Sequence, residues 1–122
     1  MAKTVLIVDD SASIRQVVGL TLKGAGYDVV DAVDGRDALS KLDGRKLHLV
    51  ISDVNMPNMD GISFVREMKV RPAYKFTPVI MLTTEAGEAK KRDGQMAGAK
   101  AWVVKPFQPA QMLDAVSKLI MP

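Results

Sequence analysis

Cysteine is absent from the 122 residues, which excludes a disulfide framework and any thiolate metal site. Histidine occurs once, as His48. It precedes the third apolar run, away from the polar strand ends described below, and reads as structural or solvent-exposed. No serine or cysteine triad can be assembled from these parts. No apolar run approaches the roughly 20 residues that span a bilayer, and Met1-Ala2-Lys3 leads directly into a strand without a signal-peptide pattern. A Gly-x4-Gly-Lys-Ser/Thr loop is also missing, since Gly24-Ala25-Gly26 closes a helix instead of opening one. The basic residues are not interleaved with aromatics, so nucleic acid is not an expected partner. These absences predict a cytoplasmic protein that is neither exported nor inserted in a membrane.

What is present has the balance of one globular domain over residues 1–122, with 48% hydrophobic and 25% charged residues. The net charge of +3 is unevenly sorted. Residues 1–61 hold seven Lys/Arg against nine Asp, and residues 62–122 hold ten Lys/Arg against five acidic residues.

Five apolar runs alternate with helical patterns. Val5-Leu6-Ile7-Val8 ends in Asp9-Asp10-Ser11 and reads as a strand buried on both faces. Ile14, Val17, Val18, Thr21 and Leu22 then recur at helical spacing, with Ser11 or Ser13 as cap and Gly24-Ala25-Gly26 as stop. Tyr27 to Ala32 is the second strand, and Ala38, Leu39 and Leu42 form the buried face of a short helix. Leu49 to Asp53 is the third strand, followed by a helix from about Ser63 that Arg71-Pro72 breaks. The segment to Pro78 reads as a loop. Val79 to Leu82 is the fourth strand, ending in Thr83-Thr84-Glu85. The next helix, about Glu88 to Ala97, has few large apolar residues and contains Gly94, which costs roughly 1 kcal/mol against Ala, so it should be the least firmly held. Ala101 to Val104 is the fifth strand, and Met112, Leu113, Val116, Leu119 and Ile120 face the core from a last helix with Pro109 in its first turn.

Strict alternation of this kind implies a parallel sheet covered by helices on both faces, an α/β doubly wound arrangement in which ligands bind beyond the carboxyl ends of the strands. Asp9, Asp10, Asp53, Thr83 and Lys105 all fall at such ends. Each has a bland reading alone, as cap, turn former or surface charge. Together they form a pattern. Three crowded carboxylates repel by roughly 4 kcal/mol per pair near 4 Å at an effective dielectric of about 20, and so call for a cation. An all-oxygen ligand set points to Mg²⁺ rather than zinc. Lys105 adds a second cation and Thr83 a hydroxyl, both suited to a phosphoryl oxygen, with one carboxylate as nucleophile.

Asp9-Asp10, Asp53 with Met56-Pro57-x-Met59-Asp60-Gly61 behind it, Thr83 and Lys105-Pro106-Phe107 resemble the response-regulator receiver family over essentially the whole chain. Within that family, the run Asn55 to Gly61 is similar to the single-domain chemotaxis regulators. The resemblance implies a flavodoxin-like (βα)5 three-layer sandwich with strand order 2-1-3-4-5. It implies that Asp53 accepts a phosphoryl group from a chemotaxis-type sensor histidine kinase, with a flagellar motor switch or other output protein downstream and a phosphatase as a possible helper. Mg²⁺ would be held by Asp10, Asp53 and the Asn55 carbonyl, with Asp9 acting through water. Lys105 would bind phosphoryl oxygens, Thr83 would move to bind one after transfer, and the Lys105-Pro106 peptide would be cis. Asn55 and Glu85 would flank the attacking water and tune loss of the acyl phosphate.

Trp102 departs from the pattern, standing where the family usually carries Tyr or Phe as a rotating switch aromatic. Core packing and a switch role are both open to it. A basic output face with Lys90, Lys91, Arg92 and Trp102 is expected to bind an acidic amphipathic peptide. The expected protein is thus a monomeric, phosphorylation-switched signalling protein and not an enzyme. A phosphate sink or relay without motor binding is the alternative. A haloacid-dehalogenase-type phosphatase is disfavoured by the lack of Asp-x-Asp after the first strand and of room for a cap.

Overall fold

The computed structural model describes residues 3–83, 98–104 and 108–120, with Thr83 described by its backbone alone. Val/Ile/Leu runs form five parallel strands, β1 (Thr4–Val8), β2 (Asp28–Ala32), β3 (Leu49–Asp53), β4 (Val79–Thr83) and β5 (Ala101–Val104), in the order β2-β1-β3-β4-β5. This is the expected flavodoxin-like order. β1 and β3 lie beside one another inside the sheet, and their side chains from Val5 to Val8 and Leu49 to Ile51 are sealed from solvent. Residues buried on both faces need no polar alternation, which is why these strands read as unbroken apolar runs.

The pleat sends alternate residues to two cores. Val5, Ile7, Leu49, Ile51, Ile80 and Leu82 meet Val18 and Leu22 of α1 (Ala12–Gly24) together with Met112 and Val116 of α4 (Pro109–Leu119). On the other face, Leu6, Val8, Val50, Val79 and Met81 meet Ala38 of α2 (Gly35–Ser40) and Phe64, Val65 and Met68 of α3 (Gly61–Lys69). The sheet is therefore the middle layer of three.

Helix starts are set by side-chain caps. Ser11 Oγ accepts from the Ile14 amide at 3.3 Å, which selects Ser11 over Ser13 as the cap of α1. Asp34 accepts from Asp37 N at 2.8 Å, and Asp60 accepts from Ser63 N at 2.8 Å. Each carboxylate satisfies a first-turn amide that has no partner within its helix. α3 accordingly begins at Gly61, two residues before the expected start, because the Asp60-Gly61 pair caps and opens the helix rather than forming a separate turn.

The stretch expected to be a plain loop before β4 contains a 3₁₀ turn at Pro72–Tyr74. Arg71 is extended (φ −90°, ψ 123°), as a residue preceding proline prefers. The buried Tyr74 hydroxyl accepts from Gly44 N at 3.0 Å and donates to Arg45 O at 2.8 Å, tying this turn to the loop before β3. No helix among the described residues is long and apolar enough to cross a membrane.

Candidate functional site

Register brings the acidic residues level. Val8 pairs with Ser52 across β1 and β3, so the next residues, Asp9 and Asp53, reach the carboxyl rim side by side. One ligand oxygen from each of Asp9, Asp10 and Asp53 lies within 4.8 Å of the others. Asp9 and Asp53 are buried and Asp10 is exposed, giving a shelf with one open side. The rim also sits where strand order reverses, since β1 sends its successor to one side and has β3 on the other.

Backbone and neighbouring side chains hold these carboxylates in place. Asp9 Oδ1 accepts from Ser11 N at 2.9 Å, and its amide donates to Ala32 O at 3.1 Å. Asp53 Oδ1 accepts from Val54 N at 2.8 Å. Arg15 reaches back from α1, donating Nη1 to Asp9 O at 2.6 Å and Nε to Asp31 Oδ2 at 3.3 Å.

The loop from Val54 to Asp60 is braced at both ends. Gly61 N donates to Val54 O at 2.9 Å. Asn58 takes a left-handed backbone (φ 67°) and donates Nδ2 to Asp34 Oδ2 at 2.7 Å, while Gly35 N donates to Met59 O at 3.2 Å. Bonds from Asp37 N and Asn58 hold the Asp34 carboxyl below its usual range, opposed by its burial. Asp34, Asn58 and Arg15 are supports that sequence reading did not single out. The only available signal was indirect, an Asn beside Pro in a turn and an Asp before Gly.

The other expected site residues divide as follows. Asn55 is exposed in the loop after Asp53. Thr83 ends β4 opposite Val104 of β5, so its backbone reaches the same rim. Trp102 pairs with Met81 and packs, half-buried, against the core that contains α2 and α3, with Nε1 buried and lacking a hydrogen-bond partner among the described residues. Glu85, Lys90, Lys91, Arg92, Lys105 and Pro106 lie outside the described residues, as does the expected weak helix from Glu88 to Ala97. His48 stands away from the rim. Its Nδ1 accepts from Thr4 N at 3.0 Å, so the structural reading holds.

The shelf suits a hard divalent cation. Oxygens bound at about 2.1 Å to an octahedral Mg²⁺ stand at most about 4.2 Å apart, so a small side-chain adjustment would bring all three carboxylates into that range. Their charge would supply affinity for such an ion, and the exposed side leaves room for its waters.

Comparison with known proteins agrees with this geometry. Residues 5–117 match the response regulator receiver domain. The chain is 39% identical to chemotaxis protein CheY1 of Helicobacter pylori over 117 residues, covering 94% of each. Chemotaxis protein CheY4 of Vibrio cholerae superposes with a TM-score of 0.94 at 48% identity, over 98% of this chain and 99% of that one. The receiver domain of a sensor histidine kinase from Pseudomonas aeruginosa superposes with a TM-score of 0.91 at 25% identity over 98% of each, and was solved with a magnesium ion coordinated in its active-site cleft.

Proposed function

The chain belongs to the response regulator receiver family, and on that premise we propose that it is a chemotaxis switch phosphorylated on Asp53 by a sensor histidine kinase. The supporting observation is the placement of Asp53, buried at the end of β3 between two further carboxylates and beside the open side of the rim. A carboxylate oxygen of Asp53 attacks the phosphorus of the donor. The P–N bond to the kinase imidazole breaks, its electron pair stays on nitrogen, and an acyl phosphate forms on Asp53. Asp9, Asp10 and Asp53, with the Asn55 carbonyl, would hold Mg²⁺. When bound, the ion neutralises the crowded carboxylates and the charge on the transferred group. The Val54 amide, bonded to Asp53 Oδ1, helps to orient the carboxylate for the attack.

The acyl phosphate adds about 1.5 to 2 negative charges and three acceptor oxygens. Thr83 and Lys105 are the groups at neighbouring strand ends that would bind them, and Glu85 would tune hydrolysis. Their engagement shifts the segment after β4, and with it a basic output face comprising Lys90, Lys91, Arg92 and Trp102. The similarity to chemotaxis proteins supports a role in chemotaxis, and the output partner proposed here is a flagellar motor switch protein. In this reading the receiver works in the cytoplasm.

Intact mass and Trp102 fluorescence after addition of acetyl phosphate and Mg²⁺ test the chemistry. The native chain should gain one phosphoryl group with a fluorescence change, and Asp53→Asn should show neither. An adduct that persists in Asp53→Asn would overturn the assignment. Output is tested by charge reversal at Lys91 and Arg92, which should weaken binding of a peptide from the motor switch protein at least tenfold. A phosphorylated protein that binds no such peptide would instead be a phosphate sink.

A further inference from the structure

The rim opposite Asp53 carries the other sign of charge. Parallel strands and returning helices bring strand starts and helix ends to this face, where Lys3, Lys46, Lys75 and Lys100 lie near the starts of β1, β3, β4 and β5 and Lys69 and Lys118 lie at the ends of α3 and α4. Cations near a helix C-terminus answer its dipole, which accounts for Lys69 and Lys118. Lys46, Lys75 and Lys100 have no such reason. Two acids of this face are already engaged, Asp43 on Arg45 at 2.8 Å and Asp114 on Lys118 at 2.9 Å, while Asp28 lies at the start of β2 beside Lys3. Among the described residues, no ion pair involves Lys46, Lys75 or Lys100.

Phe76 stands in the middle of this charge and is 88% exposed, more than any other large hydrophobic residue among those described. Lys75 Nζ lies 5.6 Å from its ring centroid. A cleft opens on each side. One, of about 470 Å³, is lined by Arg45, Lys46, Leu47, Pro72 and Pro78 as well as Phe76. The other, of about 440 Å³, is lined by Leu119, Ile120, Lys100 and Lys118 as well as Phe76. An aromatic left in water between two clefts, with Lys46, Lys75 and Lys100 around it in no ion pair among the described residues, has the composition of a recognition surface.

We propose that the rim around Phe76 docks an acidic peptide segment carrying one aromatic or long aliphatic side chain. That side chain packs on Phe76 and Pro78 within a cleft, and flanking carboxylates lie over Lys46, Lys75 and Lys100. Concavity favours a peptide over a bilayer, because the apolar residues beside Phe76 line two clefts instead of one flat surface. A single aromatic gives nucleic-acid bases no platform for successive stacking. The five-residue strands put this face roughly 16 Å from Asp53, so docking here does not require the acyl phosphate.

The probe is a fluorescein-labelled peptide of about twelve residues alternating Glu and Ser around one central Phe, followed by anisotropy. It should bind the native chain, Asp53→Asn and a Lys91→Glu/Arg92→Glu variant equally. Phe76→Ser and the Lys46→Glu/Lys100→Glu pair should each weaken it about tenfold, and a Gln-for-Glu peptide should not bind. Thermal unfolding of each variant checks that the fold is kept, as expected for exposed positions. No binding to the native chain, binding indifferent to Phe76→Ser, or loss in the Lys91/Arg92 variant alone would each overturn the proposal. So would a Phe76-dependent preference for phosphatidylserine vesicles over the peptide. Because Asp53→Asn is expected to bind, failure of the phosphorylation reading and failure of this one give different results.

Discussion

The α-carbon of Gly61 rests against the carbonyl of Asp53, so closely that a Cβ at Gly61 would lie 1.9 Å from that oxygen. The first residue of α3 is thereby seated on the backbone of the proposed phosphoacceptor. Its φ is not the reason for glycine here. The close approach is.

Gly61→Ala should therefore push α3 away from the end of β3. Backbone cannot rotate aside as a flexible side chain would, and overpacking of this kind costs about 1–3 kcal/mol. A lower urea midpoint at unchanged m-value is expected, together with slower adduct formation from acetyl phosphate. A variant as stable and as reactive as the native chain would show that the contact does not position Asp53.

Asn58 separates backbone strain from a side-chain bond. Its φ of 67° costs most residues about 1–2 kcal/mol, and its Nδ2 also holds Asp34. Asn58→Gly loses the bond but keeps the backbone, whereas Asn58→Ala loses both. Urea unfolding should rank native, Gly and then Ala in falling stability, with the Gly variant within about 1–2 kcal/mol of native. Equal stability of the two variants would mean that the left-handed backbone carries no cost in this loop.

Asp10 tests the carboxylate shelf. In EDTA, Asp10→Asn relieves repulsion with Asp9 and Asp53, and water around the exposed Asp10 limits the gain to about 1 kcal/mol or less. Added Mg²⁺ should then raise the melting temperature of the native chain more than that of the variant, since only the native shelf has all three carboxylates. The same Mg²⁺-dependent shift in both proteins would remove Asp10 from the ligand set.

Legibility followed the range of the interaction. β1, β3 and β4 announced themselves because a strand buried on both faces must be apolar throughout, and the shared rim followed from their being parallel. Local devices were readable too, such as Ser11 before α1 and Pro109 at the start of α4. Contacts made by two loops were not. Asp34 and Asn58 are distant in sequence and meet only once α2 and α3 are packed, and Arg15 finds Asp31 only because β1 and β2 pair with Ile7 opposite Asp31. The start of α3 was misplaced because Asp-Gly is a turn signal as often as a cap, and the deciding bond is from Ser63 N to Asp60.

His48 provides a pH dependence of known sign. Its imidazole is held below its usual pKa of 6.5, first by burial and then by the charges of Lys3 and Lys46. Lys100 and Lys118 share its cleft and add the same sign. The lone pair on Nδ1 is engaged by Thr4 N, which leaves the proton on Nε2. Between the folded pKa and 6.5, the unfolded chain binds more protons than the folded one, so stability rises with pH across that window. On acidification it is lost from about pH 6.5 downward, by at most about 1.4 kcal/mol per pH unit, and levels off below the folded pKa. Asp34, held low instead of high, acts in a separate window below its ordinary 3.8. Urea midpoints at pH 5, 6, 7 and 8 should show the slope in the native chain and a flatter line in His48→Asn, whose amide oxygen can still accept from Thr4 N. Parallel slopes in the two proteins would assign the dependence to another group.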